Sequence, residues 1–490
     1  MPRQPLLAQD LPEYIMPRLA AWNIPGAAVA VVNDQETLLA QGFGLRDLEA
    51  NLPVEADTLF AIASNTKAFV ATALGLLVQE SKLAWDDRVR QFLPDFELYD
   101  PYVSAELRVR DLLCHRSGLA SYAGDLLQGS TVPPAEILRR MKHLPQGFGF
   151  RAGFGYCNLL YLAAAQVLTV VSGEPWEAFV RRRLLDPLGM ARTVMSARGL
   201  PERGNIATPY EQSHGSLVPV PYHLEDNIGP AGAICSTASD LARWLRFQLA
   251  GGAIDGQQLI APAVLDETRT PHTIIRVLPA DRERYPTSHF VTYGLGWSLM
   301  DYHGRLLVRH TGGLDGMRSV TGFLPEESLG IVVLTNQNPN SFFLALFYHL
   351  LDTVLGLPPR DHDGILRRCD QAEEDAAREA RRKLEQARPK APAATLPPAS
   401  VAGTYSHPYL GEAVIHEESG ALILTLAVHP QKPGRLEPWD RETWLCRWSD
   451  PGWQESLVPL LVDSHGKVEG FRVRVREDWI DSLEYTFRRV

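Results

Sequence analysis

The feature that most constrains the fold is a change of residue pattern between residues 370 and 401. From Asp370 to Lys390 the chain is charged and alanine-rich, with acidic and basic residues at helical spacings, and it continues as the linker ARPKAPAATLPPAS. Beyond about Val401, apolar and polar residues alternate in ALILTLAV, VEGFRVRVRE and DSLEYTFRRV, which predicts antiparallel strands. A helix pattern, a linker and a strand pattern in succession predict a separate C-terminal unit, a small barrel or sandwich.

Length and composition agree with this division. A chain of 490 residues exceeds the roughly 150 residues of an ordinary domain, so two or three units are expected. The hydrophobic share of 45% and the charged share of 22% are typical of a globular protein. The net charge of -10 argues against a nucleic-acid binder held by phosphate contacts. The five cysteines are scattered without a C-x-x-C pair, which predicts free thiols rather than disulfides or a zinc site.

The first 360 residues predict one sheet flanked by helices. The runs 27–33 and 36–43 predict a hairpin, and a long apolar helix is expected from about Ser64 to Gln79. Strands lie at both ends of this region with helices between them, so the first and last strands are expected to be neighbours. The further predicted elements are helices near 156–172, from 236 onward and near 341–356, and strands near 292–300, 304–310 and 330–335.

The stretch Ser64-Asn65-Thr66-Lys67 has the spacing of an activated nucleophile. A serine hydroxyl is a poor nucleophile until a nearby base takes its proton. Residues three apart share one helix face, so Lys67 is expected to present its amine beside Ser64. The flanking sequences FAIA and AFVATALGLLV predict a buried helix, and burial favours the neutral amine. Ser64 would lie at the helix N-terminus, where backbone amides stabilise developing negative charge.

S-x-x-K alone is a weak pattern, and a second copy occurs at Ser464 and Lys467. That copy lies in DSHGK, a polar glycine-containing stretch that predicts a turn. Because a turn would not align the two side chains, we expect this copy to have no catalytic role.

A second candidate motif is Tyr156-Cys157-Asn158. A phenol near a lysine ammonium is shifted towards phenolate and can carry protons to a leaving group. Asn158 would hydrogen-bond a substrate amide or hold the lysine. A core tyrosine followed by a loop asparagine explains the same residues without any chemistry. Cys157 is expected to be a small buried spacer.

The third candidate motif, His310-Thr311-Gly312-Gly313, ends the alternating strand GRLLVRH. Glycines after a strand edge let the backbone approach a bound acyl group and donate an N–H to an oxyanion. The alternative is a strand that runs into a glycine turn, with His310 as a polar surface residue.

Together and in this order, the three motifs resemble those of the penicillin-binding-protein and class C β-lactamase-like serine hydrolases, in which S-x-x-K, Y-x-N and K/H-T-G line one active site. The stretches LLCHRSGL at 112–119 and GAICSTASDLARW at 232–244 resemble sequences of the class C-like branch. The resemblance covers about residues 10–355. It implies an α/β fold: a β-lactamase/transpeptidase-like antiparallel sheet flanked by helices, a mostly helical subdomain, and a small C-terminal antiparallel β-barrel.

The same resemblance implies a domain division and a role for each motif. The tail is similar to the lipocalin-like domain of some peptidases of this family, which gives a catalytic domain over 1–357, a helix and linker over 358–400 and a barrel over 401–490. The resemblance makes the following assignments: Ser64 forms the acyl-enzyme, Lys67 and Tyr156 share general-base and general-acid duty, Asn158 contacts the substrate amide and Lys67, and the N–H groups of Ser64 and Gly313 form the oxyanion hole.

His310 and Thr311, followed by Gly312, stand where many relatives have Lys-Thr-Gly. A lysine there is a fixed positive charge suited to a substrate carboxylate, whereas a histidine with a pKa of about 6.5 is mostly neutral at pH 7. We therefore expect poor β-lactamase or D-Ala-D-Ala carboxypeptidase activity. The H-T-G version resembles the D-aminopeptidase, esterase and LACTB-like branches more closely.

The leading hypothesis is a hydrolase that acts on an ester or a small peptide amide through an acyl-enzyme. An acyltransferase would use the same residues with an amine or alcohol as acceptor. A non-catalytic scaffold that binds peptides or assembles through its tail would have no need of Ser64, Lys67 and Tyr156 together. The tail is expected either to cap the site and restrict substrate size or to mediate oligomerisation.

Other enzyme classes and partners are constrained by what the sequence lacks. It contains no G-x-S-x-G, H-E-x-x-H, P-loop or dinucleotide fingerprint, so we expect neither an α/β-hydrolase nor any metal or cofactor. The expected partner is a small-molecule ester or peptide substrate, with no nucleic acid and no membrane, and homo-oligomer formation stays open. The sequence at the N-terminus has no apolar run of signal-peptide length, which predicts a cytoplasmic protein.

Overall fold

The computed structural model describes residues 4–213, 216–224, 226–285, 287–389, 396–475 and 481–490. The described chain divides into two compact units, each built from separate chain segments. The first unit comprises residues 1–93, 108–114 and 160–373, and the second comprises 94–107, 115–159 and 374–490. The predicted domain boundaries at 357 and 400 remain predictions.

The first unit is built on a large antiparallel sheet, as predicted. Within the described residues it has nine strands, and each is antiparallel to its neighbours. In spatial order they are Thr273–Ile275, Val291–Tyr293, Ser298–Tyr302, Arg305–Leu314, Met317–Leu324, Leu329–Thr335, Gly26–Val32, Thr37–Asp47 and Leu52–Pro53.

The ends of the first unit meet in this sheet. Val29 pairs with Val333, so the first long strand and the last long strand are neighbours, which confirms the expectation. The run 292–300, predicted as one strand, is divided by a turn in which the Gly294 N–H donates to the Trp297 carbonyl. Gly296 within this turn has a φ of +80°, a conformation that glycine adopts without strain.

Helices cover both faces of the sheet. Ala238–Leu249 packs on the strands Gly26–Val32 and Leu329–Thr335, and its Trp244 stacks on Phe69 at 4.0 Å. The helices of the first unit are Gln4–Trp22, Thr66–Gln79, Val109–Leu113, Leu159–Ser172, Trp176–Val180, Ala238–Leu249, Pro262–Thr268, Pro279–Arg284, Phe342–Leu355 and the first part of His362–Ala387.

The other face of the sheet carries a second apolar layer. Val29 and Val31 point into a cluster that includes Ile15 of the first helix and Leu346 and Leu350 of Phe342–Leu355. Successive residues of a strand face opposite sides, so one strand supplies both layers. Both faces of the sheet are therefore buried at this strand, which explains why Gly26–Val32 is continuously apolar.

The second unit contains a closed barrel of eight described strands, which confirms the barrel rather than the sandwich. Tyr405 pairs with Arg489, so the first and last strands close the circle. Among its buried aromatic side chains, the ring centroid of Phe471 lies 5.0 Å from that of Tyr405 and 4.9 Å from that of Phe487. The strands are Gly403–His407, Gly411–Glu418, Ala421–Leu426, Gly434–Asp440, Thr443–Trp448, Glu455–Val462, Val468–Val473 and Tyr485–Arg489.

The tail tryptophans serve as core where they are described. Trp439, Trp444, Trp448 and Trp453 are buried, whereas Trp479 lies outside the described residues. Residues 390–395 of the predicted linker and the last residues of VEGFRVRVRE, 476–477, also lie outside them.

The charged segment before the tail is a helix, but it begins earlier than predicted, at His362, and ends at Ala387. Its residues beyond 370 are mostly exposed. The second unit also contains the helices Pro101–Glu106, Pro134–Arg140 and Pro398–Val401. Among the described residues, no helix combines the length and apolarity needed to cross a membrane.

Candidate functional site

Ser64 and Lys67 lie where the strand Phe60–Ala61 turns into the helix Thr66–Gln79. Ser64 lies in a short 3-10 turn and is partly exposed, while Lys67 in the first helical turn is completely buried. The Lys67 Nζ donates to Ser64 Oγ over 3.0 Å and to the carbonyl of Ala231 over 2.8 Å. The predicted juxtaposition of hydroxyl and amine is therefore present.

Aromatic and backbone atoms enclose the same lysine. The ring of Tyr161 lies 5.2 Å from Lys67 Nζ, and the Tyr161 hydroxyl donates to the carbonyl of Leu113. Gly296 lies so close to the Lys67 backbone that a Cβ there would lie 2.8 Å from the Lys67 oxygen. A buried amine surrounded in this way has little freedom to point elsewhere.

The turn that carries Ser64 is fixed to the central sheet. Asn65 Nδ2 donates to Ser319 Oγ over 2.9 Å, and the Thr321 hydroxyl donates to Asn65 Oδ1 over 2.7 Å. Ala63, just before the nucleophile, has a φ of +48°, which costs a non-glycine residue about 1 kcal/mol or more. These buried hydrogen bonds offset that strain and hold Ser64 in one orientation.

The stretch 232–244, singled out in the sequence only by its resemblance, supports the nucleophile turn from the other side. The N–H of Ile62 donates to the carbonyl of Ile234 over 3.0 Å. In return, the N–H of Ile234 donates to Thr66 Oγ1 over 3.2 Å. The residues that flank Ser64 on both sides are thus anchored to one loop.

The third motif lies within a strand rather than in a glycine turn. His310 to Gly313 belong to Arg305–Leu314, and His310 is only 5% exposed, so the interpretation of His310 as a surface residue is wrong. Gly312 is required by a close approach, because a Cβ there would lie 2.1 Å from the carbonyl oxygen of Ile62. The third motif and the nucleophile turn are therefore packed directly against each other.

The strand changes its pairing at this motif. Val308 and Arg309 pair on both sides, with Ser298–Tyr302 and with Met317–Leu324. Among the described strands, residues 310–314 pair only with Met317–Leu324. Thr311 and Gly313 are partly exposed, so this stretch leaves a strand edge beside Ser64 that an extended backbone fits.

His310 is a neutral, oriented ring. Its Nδ1 lies 2.6 Å from the carbonyl of Thr311, which can only accept, so Nδ1 carries the proton. Its Nε2 then accepts from the hydroxyl of Tyr293 at 2.8 Å. Burial, assisted by the positive charge of Lys67, lowers the pKa of His310 to about 3.

Tyr156 lies in the second unit, on the loop before the helix Leu159–Ser172. Its N–H donates to Ser121 Oγ over 3.0 Å, and its carbonyl accepts from the N–H of Tyr122 over 2.7 Å. The ring of His115 lies 4.3 Å from the Tyr156 ring. His115 belongs to the stretch LLCHRSGL, so the resemblance of that stretch is the signal that points to it.

Asn158 is held by a partner that the sequence does not indicate. Its Nδ2 donates to Asp125 Oδ2 over 2.5 Å, and Asp125 is 4% exposed. Between the two motif residues, Cys157 is fully buried and its N–H donates to His115 Nδ1 over 3.0 Å, as suits a spacer. No spacing rule connects Asp125 with Asn158, so only the fold reveals this contact.

The second S-x-x-K copy, at Ser464 and Lys467, differs from the first in its burial and in its local structure. Ser464 and Lys467 are exposed in a turn whose Asp463 carboxylate accepts the backbone N–H of Lys467 over 2.8 Å. Neither side chain is buried, and no helix aligns them. This geometry agrees with the expectation that the copy has no catalytic role.

Two different family models match the N-terminal and the C-terminal parts of this chain. A beta-lactamase family model matches residues 13–355, and a domain family of unknown function matches residues 387–489. An unguisins hydrolase of Aspergillus campestris is 29% identical over 92% of this chain and 86% of its own length. A similar enzyme of Aspergillus violaceofuscus is 28% identical over 85% of this chain and 78% of its own.

Bacterial and archaeal proteins are similar as well. Penicillin-binding protein 4 of Amycolatopsis lactamdurans is 28% identical over 68% of this chain and 87% of its own. The solved structure of an octameric penicillin-binding protein homologue from Pyrococcus abyssi aligns with a TM-score of 0.63 and 22% identity, over 98% of this chain and 99% of that one. At that identity the match establishes a shared fold.

Proposed function

The chain belongs to the beta-lactamase family, and from that premise we propose that it is a serine hydrolase with Ser64 as nucleophile. The observation that carries the proposal is the 3.0 Å contact between Lys67 Nζ and Ser64 Oγ, with the lysine wholly buried. A buried lysine is the kind of amine that can act as a base, since burial favours its neutral form.

The proposed reaction begins with acylation. Ser64 Oγ attacks the substrate carbonyl carbon while Lys67, in its neutral form, takes the hydroxyl proton. The N–H groups of Ser64 and Gly313 hold the resulting oxyanion. The carbonyl then re-forms, the bond to the leaving group breaks, and the leaving group takes a proton from Tyr156.

Deacylation repeats these steps with water as the nucleophile. Tyr156, which lost its proton to the leaving group, removes a proton from the water, which attacks the ester carbon of the acyl-enzyme. Ser64 leaves and takes back the proton that Lys67 accepted during acylation, so Lys67 is neutral again and the product is a carboxylic acid. Asn158 orients the substrate amide during both halves of the reaction.

The placement of Tyr156 in this scheme is supported by the family motif and by chain connectivity. Asn158 directly precedes the helix Leu159–Ser172, and Tyr161 on that helix lies beside Lys67. Consecutive Cα atoms are 3.8 Å apart, so only a short piece of chain separates Tyr156 from that helix.

We further propose that the substrate is an ester or a small peptide amide without a required carboxylate. His310 stands where many relatives carry a lysine, and it offers no fixed positive charge because its pKa is about 3. The strand edge at residues 310–314 suits an extended peptide backbone or an acyl chain. The relatives that are named hydrolases favour water as the acceptor over a second substrate.

The proposal is tested by labelling with a fluorophosphonate and measuring the intact mass. Wild type is expected to gain one adduct, Ser64→Ala none, and Ser464→Ala, the matched control from the second S-x-x-K copy, one adduct like wild type. An adduct that persists in Ser64→Ala, or none on folded wild type, would overturn the proposal. Turnover of p-nitrophenyl esters and D-amino-acid anilides, with little turnover of nitrocefin, would support the substrate class.

A further inference from the structure

One chain segment contacts both the tyrosine motif and the barrel. We define residues 121–127 as the bridging segment. On one side, Tyr122 donates its N–H to the carbonyl of Tyr156 over 2.7 Å, and Asp125 accepts from Asn158 over 2.5 Å. The segment therefore fixes the backbone of one motif residue and the side chain of the other.

On its other side the bridging segment is held by three side chains of the tail. The hydroxyl of Tyr409 donates to the carbonyl of Gly124 over 2.6 Å, and His429 Nε2 lies 2.7 Å from the carbonyl of Leu126. Asp481 Oδ2 accepts the N–H of Leu126 over 3.1 Å. Each side chain is bonded to the backbone of the segment, so the contacts fix its course.

These contacts are buried, which makes them hard to replace by water. Tyr409, His429 and Asp481 are between 0% and 3% exposed. Gly124 has a φ of +85°, and a Cβ on it would lie 2.6 Å from the Tyr409 hydroxyl oxygen. The segment and the barrel thus fit each other too closely for an added methyl group.

We propose that the C-terminal barrel is a positioning element for catalysis, which holds Tyr156 and Asn158 through the bridging segment. The proposal rests on the proposed function, since it assigns the barrel a role in that site. Tyr409, His429 and Asp481 act as positioning residues through Asp125. The barrel thereby gains a role in the site that differs from capping it or joining subunits.

The test compares two buried tyrosines of the tail. Tyr409→Phe removes the hydroxyl that donates to Gly124. Tyr405→Phe is the matched control, because the Tyr405 hydroxyl is equally buried and donates to the carbonyl of Val401 within the tail. Both variants lose one buried hydrogen bond, so a similar drop in Tm is expected for each.

The two variants are expected to differ in catalysis. A displacement of about 1 Å in a catalytic group can lower the rate on the order of a hundredfold. Tyr409→Phe removes only one of the three tail contacts to the bridging segment, so we expect a smaller displacement and a fall of about tenfold in kcat on a p-nitrophenyl ester. KM should change less than about twofold, since the loss falls on the transition state. Equal kcat values for Tyr409→Phe and Tyr405→Phe would overturn the proposal.

A second readout does not depend on activity. Hydrogen exchange of the peptides that contain residues 121–127 and 155–158 should accelerate in Tyr409→Phe and stay at the wild-type rate in Tyr405→Phe. If wild type shows no hydrolase activity but the two variants show this exchange pattern, the proposed function is refuted and the structural link between barrel and motif stands. If hydrogen exchange in Tyr409→Phe equals that of wild type, the positioning role is refuted. If Tyr409→Phe does not fold, His429→Phe replaces it, since the new ring keeps the packing against Trp453.

Asp125 supplies the last link between the barrel and the motif. Asp125→Asn keeps an oxygen that can accept from Asn158, whereas Asp125→Ala leaves none. We expect kcat to fall in Asp125→Ala and to recover largely in Asp125→Asn. Equal kcat values in wild type and Asp125→Ala would contradict the link.

Discussion

The neutral state of His310 gives the most quantitative prediction. At pH 5 a histidine with a pKa of about 3 is only about 1% protonated, whereas one with a pKa of about 6.5 is about 97% protonated. The cause lies in the fold: the ring is buried, lies near the charges of Lys67 and Arg309, and is satisfied as a neutral group by Tyr293 and Thr311. Protonating Nε2 would remove the acceptor for the Tyr293 hydroxyl.

This shift in pKa has a defined consequence for stability. The unfolded chain binds a proton at His310 as the pH falls through about 6.5, while the folded chain does not until about 3. The contribution is therefore fully present above pH 6.5 and is lost as the pH falls towards 3. At 1.36 kcal/mol per pKa unit, the loss between pH 7 and pH 5 is about 2 kcal/mol.

The assay is a pH titration of ¹³C-labelled histidine by NMR, with His310→Gln used to assign the signal. The His310 signal is expected to keep the chemical shift of a neutral ring from pH 8 to pH 5. In urea denaturation, wild type should lose about 2 kcal/mol more than His310→Gln between pH 7 and pH 5. A His310 signal with a midpoint near 6.5 would refute both the burial and the proposed lack of a fixed charge.

Two further predictions concern the nucleophile turn and the barrel. Gly312→Ala should slow fluorophosphonate labelling of Ser64 about a hundredfold, because the new Cβ would displace the turn at Ile62. Gly153→Ala is the control and should label at the wild-type rate, because a Cβ on Gly153 would have its nearest neighbouring atom at 3.5 Å. Equal labelling rates in the two variants would contradict the close packing. Burial raises the pKa of Asp481 to about 6, so the contribution of this group to stability is present below about pH 4 and is lost as the pH rises to 6. In urea denaturation, the free energy of unfolding of wild type should fall by about 3 kcal/mol over this pH range because of Asp481, and this fall should be absent in Asp481→Asn. If Asp481→Asn kept the same pH dependence of the free energy of unfolding, that dependence would belong to other titratable groups.

The parts of the fold that follow local patterns were predictable. The continuous apolar run around Lys67 specifies a buried helix, and the period of two after Val401 specifies antiparallel strands. The strand Met317–Leu324 had no such signal, since Ser319 and Thr321 stand where an apolar alternation would be expected. The structure explains these two residues, because they hydrogen-bond to Asn65 in the nucleophile turn.

The site was predictable only where its residues are close in sequence. Ser64 and Lys67 are related by one helical turn, and helical periodicity is visible in a sequence. Asn158 and Asp125 are 33 residues apart, and Tyr409 lies 285 residues from the glycine that it contacts. Such contacts depend on tertiary packing, which produces no periodic residue pattern in the sequence.

The most direct test of the central claim is to trap the acyl-enzyme. Wild type mixed with a p-nitrophenyl ester and quenched in acid should show a mass increase equal to the acyl group, located on the peptide that contains Ser64. Lys67→Met should accumulate the adduct on the order of a hundred to ten thousand times more slowly, since it lacks the base. Acylation of Lys67→Met at the wild-type rate, or an adduct on any other residue, would contradict the account.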